Sequence, residues 1–162
     1  MSTENFSTTI LVDQTPGVVF NAVANPRGWW SEEIEGGTAK QGDVFKYHYQ
    51  DVHACTIKLT EVVPDKKMVW HVEENYFKFT KDKSEWTGNN IVFDITSRGN
   101  QTELRFTQEG LVPSYECYDV CNEAWTNYIR KSLYELITTG KGEPNPKEGG
   151  FNADITKRKN LG

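Results

Sequence analysis

The chain has 162 residues, 36% hydrophobic and 25% charged, with five Trp, seven Tyr and eight Phe, which describes one well-solvated, aromatic-rich domain able to bury a real core. Its 18 basic against 23 acidic residues leave a net charge of −5, which excludes the basic face that non-specific nucleic-acid binding needs. The opening MSTENFSTTILV lacks a basic region followed by a long apolar run, and no later stretch approaches the roughly 18 uninterrupted apolar residues of a membrane span, so a cytoplasmic location without a membrane span is expected.

Phe6, Thr8, Ile10 and Val12 alternate with Ser7, Thr9 and Leu11, which predicts a first strand. In TPGVVFNAVANP, Thr15 reads as an N-cap and Pro16 as the first helical residue. Val19, Phe20 and Val23 share an apolar face, and Pro26 closes this short helix. Arg27 to Asp43 is loop-rich, with breaks at Gly36-Gly37 and Gly42-Asp43. Trp29 and Trp30 are expected to pin that segment to the body of the domain, each burying on the order of 200 Å².

From Val44 to Thr107 the period changes to two, as in an antiparallel meander, for which four strands are expected. Phe45, Tyr47 and Tyr49 share one face of the first strand, and His53, Cys55, Ile57 and Leu59 one face of the second. In the third, Met68, Trp70 and Val72 alternate with Val69, His71 and Glu73, and either set can be the inner one. NNIVFDITSRGNQTELRFTQEG supplies Ile91, Phe93 and Ile95, a turn at Arg98-Gly99-Asn100, and Leu104 with Phe106 on the returning arm. Ahead of this hairpin, NYFKFTKDKSEWTG mixes charges with aromatics and reads as a long hairpin arm or a mobile loop.

After Pro113 the period returns to 3.6. A drifting stripe of Cys117, Cys121, Trp125, Tyr128, Ile129, Ser132, Leu133, Leu136 and Ile137 marks one long helix, about Tyr115 to Thr138, ended by Gly140. Residues 143–162 are rich in Gly, Pro and charge and have no period, so a disordered tail is expected there, with 1–142 forming a single domain.

Strand, short helix, long meander and long last helix follow the order of an α+β helix-grip fold (START-like, birch-pollen-allergen-like), in which a curved antiparallel sheet wraps the C-terminal helix. The phrases ILVDQTPGVVFNAVANPRGWWSEEIEGG, GDVFKYHY, TEVVPDKKMVWHV, WTGNNIVFDI, TELRFTQEGL and NEAWTNYIRKSLYELITTGKG resemble the heat-shock-protein-90 ATPase activator-like (AHSA1-like) branch of the START-like (SRPBCC) superfamily. None of these phrases is a catalytic motif. The resemblance implies a hydrophobic cavity between sheet and helix and, across the superfamily, binding of lipids, sterols, polyketides or other small apolar molecules. The superfamily also holds cyclases, hydrolases and co-chaperone modules, so fold alone does not select a function.

Cys117 and Cys121 lie four apart and share a helix face. A metal clamp completed by Cys55 and His53, a redox pair, and two small apolar residues at the head of the stripe all fit that spacing. No Cys-x-x-Cys or His-x-x-x-His accompanies the pair, and cysteine is among the most buried residue types, so packing is the expected role. An odd count of three cysteines suits free thiols in a reducing compartment. His53 is the histidine best placed to point inward, where with Tyr47, Tyr49 or Tyr128 it could orient a polar group on a ligand or act as an acid/base. His48 belongs to the outer face. Glu32, Glu33 and Glu35 read as a solvated run, and Glu116 and Asp119 suit the positive end of the last helix. There is no Gly-rich phosphate loop, Ser elbow or nucleophile with an assigned base, so no catalytic residue, metal or cofactor is assigned.

The expected function is non-enzymatic binding of a small apolar molecule, with Phe45, Tyr47, Tyr49, His53, Cys55, Trp70, Phe93, Phe106, Cys121 and Trp125 lining the cavity. The alternative is a co-chaperone-like or stress-response module that docks a protein partner around Trp29, Trp30 and the Glu32 to Glu35 run. A cyclase or hydrolase of the same fold is a lesser alternative.

Overall fold

The computed structural model describes residues 5–162. Its strands are β1 (Phe6–Val12), β2 (Ile34–Gly36), β3 (Val44–Tyr49), β4 (His53–Val63), β5 (Lys67–Phe77), β6 (Asn90–Arg98) and β7 (Gln101–Glu109). They form one antiparallel seven-stranded sheet in the order β1-β7-β6-β5-β4-β3-β2, and the helix-grip architecture follows from the way its concave face is covered. The meander holds five strands, one more than expected. The returning arm of the hairpin is itself a full strand, burying Thr102, Leu104, Phe106 and Gln108 on one face and pairing with β6 and β1 on its two sides. The short β2 lies in the loop-rich stretch, where the Arg27 guanidinium donates to the carbonyls of Ile34 and Gly36, both at 2.9 Å, and so covers an exposed strand edge.

Helix α1 (Pro16–Val23) begins where its sequence dictates, with Thr15 Oγ1 accepting from the Val18 N–H at 3.3 Å and Val19, Ala22 and Val23 buried. Trp29 and Trp30 are buried, and both stack on Trp70, at 6.0 and 5.9 Å between ring centroids. Phe93 packs edge-on against Trp29 and Trp70, and Phe45 against Trp30 and Trp70.

A bulge decides which residues of β5 face inward. β4 pairs Thr56 with Glu74 but Ile57 with Val72, leaving Glu73 as an extra residue. One inserted residue reverses the alternation of a strand. Met68, Trp70 and Val72 are therefore buried ahead of the bulge, and Asn75 and Phe77 after it.

The last helix runs as α2 (Tyr118–Asn127), a π-helical segment (Tyr128–Leu133) and α3 (Tyr134–Thr139). Its apolar stripe repeats every four residues through Cys117, Cys121, Trp125, Ile129, Leu133 and Ile137, all buried. On an α-helix such a stripe drifts by about 40° per step. The wider i→i+5 turn over 128–133 takes up that drift and keeps the stripe against the sheet. Gly140, at φ 86°, ends the helix in the left-handed region.

Two segments depart from expectation. The arm between β5 and β6 is docked: the Glu85 carboxylate accepts from the N–H groups of Glu116 and Cys117 at the start of α2, and the Glu116 carboxylate accepts from those of Lys81 and Asp82, at 3.0 and 2.9 Å. These backbone donors hold the Glu116 carboxyl below its usual range. Residues 143–162 are not the disordered tail expected from their composition. Asn145 bonds through both its backbone N–H and its side chain to the Trp30 carbonyl, each at 2.9 Å, and α4 (Gly150–Lys159) then packs back onto the domain, burying Asn152 and Ile155, with Leu161 following. Composition misleads here because polar residues do the anchoring, and their partners lie in distant parts of the chain. Among the described residues, no helix is long and apolar enough to cross a membrane.

Candidate functional site

Sheet and helix leave a gap over the ends of β3, β4 and β5. A narrow cavity of about 50 Å³ remains there. Tyr47, Tyr49, Val52, His53 and Phe77 form its sheet wall, and Phe79 and Trp86 come from the docked arm. Cys121, Ala124, Trp125 and Tyr128 come from the helix, Asn152, Ile155, Thr156 and Leu161 from α4 and its extension, and Trp30 from the floor. Pockets for drug-sized molecules run to about 300–1,000 Å³, so this space is well below ligand size.

The wall is aromatic with a small polar cluster. Trp30 stacks on Tyr47 at 4.2 Å and leans on Trp125 at 5.2 Å, and Trp125 stacks on Trp86 at 5.8 Å. The Tyr128 hydroxyl donates to Asn152 Oδ1 at 2.6 Å and accepts from Asn145 Nδ2 at 2.9 Å, while Asn152 Nδ2 donates to the Tyr47 hydroxyl at 2.9 Å. Burial pushes both phenols above their ordinary pKa, so both stay protonated at neutral pH.

His53 is half-buried, with Nε2 2.9 Å from Asn75 Oδ1 and its ring against Phe77 and Trp86. Burial lowers its pKa to about 4, against the raising effect of the Asn75 bond, so the imidazole is neutral at pH 7. His48 is exposed, and His71 bonds Asn90 through Nδ1 away from the cavity.

The cysteines pack. Cys117 and Cys121 are buried with their sulfurs 2.6 Å apart, and burial together with the neighbouring Cys117 pushes the Cys121 thiol well up. Burial also raises Cys55 far above its ordinary value. Protonated, enclosed thiols are poor nucleophiles and poor ligands. Among the described residues no group of three or more His, Cys, Asp or Glu side chains is placed to hold a metal ion.

Of the residues expected to line the cavity, Tyr47, Tyr49, His53, Cys121 and Trp125 do so. Phe45, Trp70, Phe93 and Phe106 lie instead in the packed half of the concave face, among Trp29, Trp30 and one another. Cys55 is buried but borders a separate, more polar hollow with Lys46, His48 and Glu74. Sequence reasoning missed Trp30 as a lining residue, having taken it as a pin or as part of a protein-docking surface, and Phe77, whose parity the bulge conceals. It also missed Trp86, on a segment read as a long hairpin arm or a mobile loop, and the α4 residues, which carry no periodic signal. Because Trp29 and Trp30 are fully enclosed, the surface imagined for a protein partner around them has no aromatic anchor.

The family model described as Activator of Hsp90 ATPase homolog 1-like protein matches residues 13–138. Among solved structures, the chain is similar to the solution structure of the Aha1 dimer from Colwellia psychrerythraea, at 23% identity and a TM-score of 0.69 over 86% of this chain and 99% of that one. It is similar also to CalU16 from Micromonospora echinospora, at 11% identity and a TM-score of 0.59 over 86% and 87% of the two chains. DynU16, from the dynemicin biosynthetic locus, matches at 15% identity and a TM-score of 0.62, covering 84% of this chain and 48% of that one. No curated protein sequence matches. At these identities the likeness is one of fold.

Proposed function

The chain belongs to the Activator of Hsp90 ATPase homolog 1-like family, and from that premise we propose that it binds a small, largely apolar molecule between sheet and C-terminal helix without transforming it. The observation that carries this reading is the convergence of Trp30, Trp86, Trp125, Tyr47 and Tyr128 on one cavity between sheet and helix. Aromatic walls supply apolar area, and two protonated phenols supply directional hydrogen bonds, the usual composition of a small-molecule site. The three unpaired cysteines suit a reducing, cytoplasmic setting.

Two features of the lining support a binding role over a catalytic one. Among the described residues, His53 has one hydrogen-bond partner, Asn75, and Cys121, the cysteine that lines the cavity, is kept protonated by burial. Native mass spectrometry of protein purified without added ligand, compared with its denatured mass, tests the reading. A noncovalent organic adduct, absent after denaturation, is the expected result. A mass that stays bare after incubation with cell extract overturns it.

A further inference from the structure

We propose that residues 150–161 are a displaceable plug, and that the Asn152 carboxamide stands where the polar head of the ligand binds. The ligand is then a neutral molecule with an apolar body and a carboxamide, or an equivalent adjacent donor and acceptor. This rests on the cavity reading above.

Four side chains of this segment, Asn152, Ile155, Thr156 and Leu161, fill one wall of the cavity, and about 50 Å³ is what they leave. The space grows to ligand size when they withdraw. Apart from the hydrogen bonds of Asn152, their hold on the domain is modest. Only Phe151, Ile155 and Leu161 are large and apolar in the segment, and its ion pairs to α2, from Arg158 and Lys159 to Glu123, are largely solvated. A segment with few buried apolar contacts opens at lower cost than the core.

The chain also has a place to bend. Asn145, ahead of the plug, is fixed to the Trp30 carbonyl and accepts from the Glu32 N–H at 2.9 Å, and Gly149 and Gly150 follow at φ 84° and 75°, a backbone region open to glycine. The family match ends at residue 138, so the plug lies outside the matched residues.

The chemistry of the head follows from the bonds Asn152 makes. Its Nδ2 donates to the Tyr47 hydroxyl at 2.9 Å and its Oδ1 accepts from the Tyr128 hydroxyl at 2.6 Å. Withdrawing Asn152 takes from the Tyr47 hydroxyl its donor and from the Tyr128 hydroxyl its acceptor, leaving Tyr128 only the bond from Asn145, which is costly unless the ligand replaces both lost bonds. An amide replaces both, and an ester or alkane does not. A carboxylate is disfavoured because the lining holds no cation, His53 being neutral.

The test uses the full chain, as wild type and as Ile155→Glu, titrated with octanamide and with methyl heptanoate, which keeps the acceptor but lacks the donor. Tryptophan fluorescence reads binding, and hydrogen exchange confirms that residues 150–161 are released while the strands stay protected. The expected result is octanamide binding at least about tenfold tighter to Ile155→Glu, because a larger fraction of molecules is open, with methyl heptanoate several-fold weaker than octanamide. Should that variant fail to fold, Asn152→Ala carries the same comparison. Equal, measurable affinity of wild type and released variant overturns the plug while leaving the cavity reading intact. Equal affinity for the two probes overturns the amide head. No binding of either probe to either protein overturns both the plug and the cavity reading.

Discussion

His53 is held neutral by burial, and that has a consequence for stability. Its pKa falls from 6.5 to about 4 on folding, so between those values the unfolded chain binds a proton that the native one refuses. The stabilisation is complete above pH 6.5 and is lost as pH falls toward 4, at a slope of at most about 1.4 kcal/mol per pH unit. Urea denaturation between pH 6.5 and 4.5 should show this slope in the wild type and a flatter one in His53→Gln; an unchanged slope contradicts it. The buried cysteines make a second prediction at this scale. Ellman's reagent should find no fast-reacting thiol in the native protein and three after denaturation, whereas a rapidly labelled Cys121 would point to a reactive site. The packing role of Cys117 and Cys121 was legible from their place on the stripe, as was the inward His53. The role of Asn152 was not, since an asparagine gains meaning only from Tyr47 and Tyr128, far away in sequence.

Between elements, polar bridges set how the helix sits on the sheet. Trp125 Nε1 donates to Gln108 Oε1 at 2.8 Å, and Gln108 Nε2 donates to Asn89 Oδ1 at 2.9 Å, tying α2 through β7 to the residue preceding β6. Gln108 is fully enclosed. Gln108→Leu leaves an indole N–H and an amide oxygen without partners and should destabilise the fold by about 1–3 kcal/mol; a chemical denaturation midpoint unmoved by the change would remove this bridge from the fold's support. Elements whose period is unbroken, β1, α1 and the β6–β7 hairpin, follow directly from alternation and capping. The inner face of β5 does not, because the extra Glu73 makes Trp70 and Phe77 point the same way despite their odd separation. The docked arm was likewise hidden, its order coming from carboxylates that meet backbone N–H groups across 31 to 35 residues of chain.

At the scale of the molecule, the concave face divides in two. One half is a solid aromatic block around Trp29, Trp70, Phe93 and Phe106, and the other keeps a residual space closed by the chain's own C-terminal helix. Sequence pattern identifies the residues that face inward but not how the face divides, since packed cores and cavity walls use the same residue types. Hence Tyr47, Tyr49, His53, Cys121 and Trp125 line the space, while Phe45, Trp70, Phe93 and Phe106 belong to the block. The five tryptophans make that division measurable. The most direct measurement is an ¹H–¹⁵N NMR titration of the indole resonances with octanamide. Binding between sheet and helix should move the signals of Trp30, Trp86 and Trp125 most and those of Trp29 and Trp70 least. Indole signals that stay fixed up to the solubility limit of the amide, or shifts confined to residues on the outer face of the sheet, would contradict it.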